Sequence, residues 1–400
     1  MIKKRIPFIA YLFFILVYAQ QGMVSLPDQC IYYLLRETWK LSATMLGIIA
    51  FLTSIAWYIK PIWGFLADWL GSKRKLKIYL LFNVGFIIFA SFFVVLFGLN
   101  LWSLIIILSL INIAIAGTDT TNDKEMCILE KKFNLKGRIQ AIQWTSLAIA
   151  GLFVSIAGAL IASKLPEPYN YKVAYGILAI VPIALFVYLM KFYKQNKKTN
   201  SKVRFNLGIL KNKEFLIGVI FIMFLRFSPS FGKALMIKMR ETMGINKMFI
   251  GYLGATGTVL GIIGYLIYYW KAWQFPLRKM LYLTILFSGL ANLCYLYLPN
   301  KWFILGYSLT FGAFDGICFL AVMAFIAKIV PIGYEGVSYA IVTSINNLSA
   351  RLGGVVGGFI YDTMGYNWNV IIASLTTLLC LVFVPYLVIK EKKSCQLQTS

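Results

Sequence analysis

Apolar runs of about 20 residues, the length that crosses a bilayer, recur along this chain with only short polar loops between them. A water-soluble domain has no core large enough to hide so many. Residues are 60% hydrophobic and only 13% charged, where a soluble domain carries roughly 25% charged residues. The chain therefore reads as an integral membrane protein, all-α. Twelve spans are predicted, at about 6–25, 43–68, 77–98, 101–123, 139–163, 172–193, 214–236, 248–270, 279–298, 302–328, 336–361 and 367–389. The N-terminal MIKKR followed by an apolar run has the outline of a signal peptide. It lacks a small-residue cleavage site and is long enough to span, so it reads as a retained first helix.

The stretch Trp57–Lys77, WYIKPIWGFLADWLGSKRKLK, orients the spans. Lys60 and Pro61 fall inside the apolar run, and the run leaves through Asp68 into Lys73, Arg74, Lys75 and Lys77. A lysine in hydrocarbon is costly, so Lys60 must face protein or water. Neighbouring helices can re-satisfy the hydrogen bond that Pro61 removes. Basic loops stay on the cytoplasmic side, and about 27 of the 39 Lys and Arg residues fall in loops on the side of the N-terminus, against about 8 on the other. Both termini are thus expected in the cytoplasm, in a multi-pass inner or plasma membrane protein. The same loop placement accounts for the net charge of +25 without nucleic acid as a partner.

The chain has no histidine, which excludes histidine metal sites and histidine triads. Its cysteines show no metal spacing; Cys30 alone is expected outside the membrane on the non-cytoplasmic face, and no disulfide is expected. No metal, no cofactor and no partner chain is called for, so a monomer is expected. A basic loop, Lys191 to Lys213, separates two sets of six spans. It reads as a solvated linker or as a segment drawn to anionic lipid. Expected units are 1–193 and 214–400, joined by 194–213.

The two sets echo each other at a separation near 200 residues. Gly64-Phe65-Leu66 matches Gly264-Tyr265-Leu266, and Asn100-Leu101-Trp102 matches Asn300-Lys301-Trp302. Ala141-Ile142 with Thr145-Ser146 matches Ala340-Ile341 with Thr343-Ser344. A shared offset at matching places in the helix order points to an internal duplication. Parallel six-helix repeats place a substrate cavity between the halves near mid-membrane.

Ionisable residues left inside the spans are Lys60, Asp68, Asp119, Asp123, Arg226, Lys233, Asp315 and Arg351. Each costs at least ~2.5 kcal/mol at a helix centre, so each is a functional or a mutually neutralising residue. Asp119 and Asp123 share a helix face within the polar segment GTDTTND, and they read as a proton site or as structural partners of Lys60. Lys60 pairs with one of them, as scaffold or as moving part. Arg226 and Lys233, seven residues apart, are expected on nearly one face of one helix. With Arg351 they make a positive cavity for an anion, Arg351 through its planar fork; Lys233 has an alternative in snorkelling outward. Asp315 reads as the partner of Arg351 and a third proton-coupling carboxylate. Asn347, in the polar run NNLSARLGG, joins the substrate-binding set. Trp57 and Trp144 lie on helices with polar residues and either pack or stack on a flat substrate. Gly353-Gly354 and Gly357-Gly358 read as close helix contacts.

Gly64-Phe65-Leu66-Ala67-Asp68-Trp69-Leu70-Gly71 with Lys73 and Arg74 resembles the loop between helices two and three of the major facilitator superfamily. That resemblance implies gating roles for Asp68, Lys73 and Arg74. Trp57, Lys60-Pro61, Gly64 and Asp68 resemble the WxxKPxxGxxxD signature of the folate–biopterin transporter family. Gln21-Gly22, Leu26-Pro27, Tyr32-Tyr33-Leu34, the acidic set Asp119, Asp123 and Glu130, Gln140 to Trp144, Ser228-Pro229-Ser230 and Pro276 to Lys279 resemble further pieces of it. In the second half the gate motif lacks its aspartate, and Tyr268 stands there. The resemblance implies proton-coupled uptake of pterins or folates by alternating access. Carriage of another charged metabolite, such as S-adenosylmethionine, a nucleoside-like compound, a muropeptide or a sugar derivative, is the alternative. An enzyme would need a nucleophile–base spacing that the chain lacks, and a receptor or scaffold would need a longer loop than any present.

Overall fold

A computed structural model describes residues 8–133, 138–194, 212–329 and 335–387. The first rod starts as α1 (Phe8–Met23), turns at 24–27, and runs on as α2 (Asp28–Tyr33) and a π turn over Leu34–Thr38. It is therefore longer than the expected 6–25. Ser25-Leu26-Pro27 reads as an exit, but Pro27 sits just before the first helical residue, where its missing N–H costs nothing. Cys30 consequently lies in α2, fully buried, and not in an outer loop.

The second rod is α3 (Ala43–Thr53), α4 (Ile55–Tyr58) and α5 (Lys60–Ser72), followed by α6 (Leu76–Phe97), α7 (Leu101–Phe133) and α8 (Arg138–Lys164). A sixth rod is built of α9 (Tyr169–Leu178) and α10 (Ile180–Lys191). The second set repeats the plan. It comprises α11 (Lys213–Phe227), α12 (Gly232–Ile237) and a π turn over Lys238–Thr242, then α13 (Lys247–Trp270), α14 (Leu277–Leu293), α15 (Lys301–Ile329), α16 (Glu335–Met364) and α17 (Tyr366–Leu379). Among the described residues, ten helical stretches are long and apolar enough to cross a membrane. The two remaining rods differ for local reasons: α3–α5 is interrupted, and α16 carries the polar NNLSARLGG. The result is an all-α membrane protein of twelve rods in two six-helix sets. The central part of the basic linker, 195–211, lies outside the described residues, as do both chain ends.

The break at Ile59 follows from Pro61, which cannot donate back to the preceding turn. Aromatic tips serve the carbonyls around the break. The Tyr58 hydroxyl donates to the Phe51 carbonyl at 2.9 Å, and Trp63 Nε1 donates to the Ala56 carbonyl at 2.8 Å. The break leaves Lys60 at the first position of α5, turned toward α7.

Across the turn that joins the first two rods of each half, the duplication repeats in backbone detail at an offset of 204 residues. Trp39 N–H donates to the Leu34 carbonyl and Leu41 N–H to that of Leu35; Met243 donates to Lys238 and Ile245 to Met239. Ser42 caps α3 by accepting from Met45 N–H, and Asn246 caps α13 by accepting from Phe249 N–H. Between these points both copies take a left-handed residue, Lys40 at φ 55° and Gly244 at φ 62°. Glycine adopts this conformation freely and lysine only at a cost, so the turn itself, and not one residue type, is what the two halves share.

Two glycines at the same offset form the seams between the halves. A Cβ on Gly47 of α3 would lie 2.8 Å from Val355 Cα of α16, and one on Gly251 of α13 would lie 2.7 Å from the Ser155 carbonyl of α8. Backbones touch there, as small residues allow in membranes. Gly353 and Gly358 press likewise against Phe227–Ser228 and Ala43.

Candidate functional site

The polar face of α7 is mostly self-satisfied. Thr118, Thr120 and Thr121 hydroxyls donate to carbonyls one turn back at 2.8, 3.0 and 3.0 Å. The carboxylates instead look across to α5. Lys60 Nζ lies 2.7 Å from Asp119 Oδ2 and 3.3 Å from Asp123 Oδ2. The Tyr18 hydroxyl of α1 is 3.5 Å from Asp123 Oδ1. One cation thus serves two carboxylates, leaving one negative charge in excess. The two acids are not equivalent: the Asp119 side chain is 5% exposed and that of Asp123 34%. Asp123 is therefore the more accessible of the two, and Asp119 holds the lysine at the shorter distance.

Trp57 belongs to the same wall. Its Nε1 donates to Asn112 Oδ1 at 2.8 Å, so this ring is anchored by its polar edge. Trp144 is freer, 42% exposed. It stands edge-on between Tyr18, at 6.1 Å, and Phe319 of the second half, at 6.4 Å. It links the acidic cluster of the first half to the cavity of the second.

That cavity, about 650 Å³, is walled by α11, α14, α15, α16 and α17. Arg226, Thr284, Ser288, Asn292, Tyr295 and Asp315 reach into it. A second chamber of about 380 Å³ adjoins it between α13 and α15 and shares Tyr295, Tyr307, Asp315 and Phe319. Arg226 makes no hydrogen bond or ion pair among the described residues.

Three expectations are corrected. Arg226 and Lys233 do not share a helix face, because α11 ends at Phe227 and α12 begins only at Gly232. Pro229 breaks the rod, and the freed backbone is taken up by α16, with Ser230 N–H donating to the Gly353 carbonyl at 3.0 Å. Lys233 accordingly leaves the cavity and donates from Nζ to the Leu46 carbonyl of α3. Arg351 does not pair with Asp315. It projects toward the first half, where its charge is felt at Asp28 and Tyr58, and at Lys233 beside it. Asn347 accepts from Asn346 Nδ2 at 3.3 Å. At the other end of the bundle, Lys73 lies over the Trp69 ring at 3.8 Å and Arg74 has a left-handed backbone, φ 59°. The Asp68, Glu130 and Gln140 side chains lie outside the described residues.

A further set was not singled out from the sequence. LLRET in the first half and KMRET in the second form the two π turns, and they exchange charges across the halves. Arg36 Nε and Nη2 donate to Glu241 Oε1 and Oε2 at 2.6 and 3.0 Å. Arg240 Nε and Nη2 donate to Glu37 Oε1 at 2.9 and 2.8 Å, and Lys247 adds a third contact to Glu37 at 3.1 Å. Each arginine also holds its own turn, through the Leu41 and Ile245 carbonyls. Asp362 of α16 caps α3, accepting from Ala43 and Thr44 N–H at 3.1 and 2.7 Å. The repeated Arg-Glu-Thr at an offset of 204 is the sequence signal for this latch.

A family model, the BT1 family, matches residues 21–399. The chain belongs to the BT1 family. A folate-biopterin transporter of Synechocystis sp. is 24% identical over 92% of this chain and 79% of its own length. Folate transporter 2 of Plasmodium falciparum is 23% identical over 88% of this chain and 81% of its own. Among solved structures, the nucleoside transporter NupG superposes with a TM-score of 0.73 at 13% identity, covering 96% of this chain and 99% of that one. A D-xylose–proton symporter does so with a TM-score of 0.73 at 12% identity, covering 95% and 97%. The BT1 chain thus has the fold of major facilitator transporters; it is a transport protein and not an enzyme.

Proposed function

We propose that this BT1-family transporter carries an anionic pterin or folate, and that a proton moves with it. Arg226 takes the substrate's carboxylate in the second-half cavity, and Asp123 takes the proton on the Lys60–Asp119 platform. The observation that carries this reading is a pair of unmatched charges. A guanidinium that pairs with no carboxylate of the described residues lines the cavity, and two carboxylates that share one lysine lie across Trp144 from it. A substrate anion partners the first and a proton neutralises the excess of the second. The relatives named for folate and folate-biopterin support the substrate class. Arg351, near Asp28 and the seam to α3, and Lys233 serve as contacts between the halves. Asp68, Lys73 and Arg74 gate the opposite, basic end.

In this reading the RET latch marks the outer end, because the basic loops lie at the other, and the termini are cytoplasmic. On this reading the latch closes the outer end, and transport requires it to part in turn with the inner gate. Reversing one charge tests this. Arg36→Glu sets two carboxylates against each other and lowers transport about tenfold, whereas the swap R36E/E241R returns it to within about threefold. Uptake at equal expression is the measurement, and no recovery in the swap removes the latch from the cycle.

Substrate class is tested by counterflow. Vesicles loaded with unlabelled folate and holding the purified full chain take up labelled folate or biopterin with no ion gradient present. Uptake of neither, alongside uptake of a sugar or nucleoside, replaces this reading with that of another metabolite carrier.

A further inference from the structure

Among the described residues the Asp315 carboxylate makes no hydrogen bond or ion pair, and the rest of its wall is aromatic rings, glycines and Ser308. Tyr295 and Tyr307 stand 4.4 Å apart beside it, and Phe319 lies one turn further along α15. Gly257 and Gly261 of α13 pack toward Gly312 and Gly316 of α15, so bare backbone, with Tyr265 beside it, forms part of the chamber's lining. The chamber is about 380 Å³ and opens into the larger cavity that holds Arg226. Bare backbone beside tilted rings suits a flat ring, and a carboxylate that lines the chamber without a protein partner is free to accept donors from a ligand. A carboxylate accepts two parallel hydrogen bonds best from a planar edge with adjacent N–H groups, the geometry it uses with guanidinium.

We infer that Asp315 reads the ring of the substrate. Its two oxygens accept from the amidine-like edge of a 2-amino-4-oxo heterocycle, the N3–H and the 2-amino group of a pterin, while Arg226 holds the anionic tail. This rests on the proposed function and changes the part played by Asp315, from proton carrier to specificity residue. It also gives a reason for the second chamber, which a tail-binding arginine alone does not need. A ligand lacking the 2-amino donor leaves the carboxylate facing a carbonyl, and a site built for a hydrogen bond rejects such a ligand strongly.

Binding to the purified full-length protein decides the matter, with four probes: folate, 6-hydroxymethylpterin, 6-hydroxymethyllumazine, which has a carbonyl in place of the 2-amino group, and p-aminobenzoylglutamate, which is the tail alone. The wild type is expected to prefer the pterin over the lumazine by about tenfold or more. Asp315→Asn brings that ratio to within about threefold while weakening the tail fragment far less than the pterin. Arg226→Gln shows the reverse order, weakening the tail fragment more than the pterin. A ratio unchanged in Asp315→Asn overturns the assignment, and so does a wild type that binds folate with no preference between the two rings. Should Asp315→Asn bind nothing, Asp315→Glu is read instead: a retained preference supports a carboxylate reader, and a lost one overturns it. A wild type that binds none of the four sinks the folate reading itself, an outcome distinct from the other failures.

Discussion

Lys60→Met is expected to cut transport by about a hundredfold or more and to lower the yield of folded protein. The lysine sits between Asp119 and Asp123, 2.7 and 3.3 Å from their oxygens. Its removal leaves two carboxylates facing each other in a low-dielectric wall. Losing one partner of a buried ion cluster costs roughly 3–5 kcal/mol. The double variant K60M/D119N separates structure from mechanism, because it removes a cation and an anion together. Yield should return, since the remaining Asp123 is the better solvated acid. Accumulation driven by a gradient should not, since the platform that resets the proton site is gone. Recovery of both would reduce Lys60 and Asp119 to scaffold.

Gly251→Leu is the second variant with a large expected effect. Even a Cβ at this position would lie 2.7 Å from the Ser155 carbonyl, and backbone cannot yield as a side-chain tip can. Overpacking costs typically 1–3 kcal/mol, and about 1.4 kcal/mol is tenfold in a population. The cost falls only on the state in which α13 and α8 touch, so the outer end is wedged apart. Spin labels at Thr38 and Thr242, one in each π turn, report it. The wild type gives one short distance, and the variant gives mainly a longer one with transport reduced at least about tenfold. Gly47→Leu, related by the same offset and pressed on Val355, should behave alike. An unchanged distance in both variants would show that the seams do not control the outer end.

The medium and the twelve rods were legible because hydrophobic runs of spanning length carry their own signal. Lys60, Asp119 and Asp123 were legible as a group for a related reason: charge inside such a run has few partners to choose from. What escaped was set by breaks in the helices. Seven residues between Arg226 and Lys233 imply one face only on a continuous helix, and Pro229 ends it. Pro27 reads as the end of the first rod but starts its second part, which hid both Cys30 and the Arg36–Glu37 turn. Arg351 and Asp315 looked like partners because they are the deep charges of one half, whereas α16 turns its arginine to the other half. The latch was visible in principle, but its repeat is two residues of charge in loops where charge is common.

We propose that one proton on Asp123 travels with one anionic pterin on the other side of Trp144. Labelled folate uptake into proteoliposomes, at equal substrate inside and out, tests it most directly. With an inward proton gradient the wild type should accumulate folate above the equilibrium level, while Asp123→Asn should exchange folate but not accumulate it. Accumulation that ignores the gradient, or that persists undiminished in Asp123→Asn, would contradict the account.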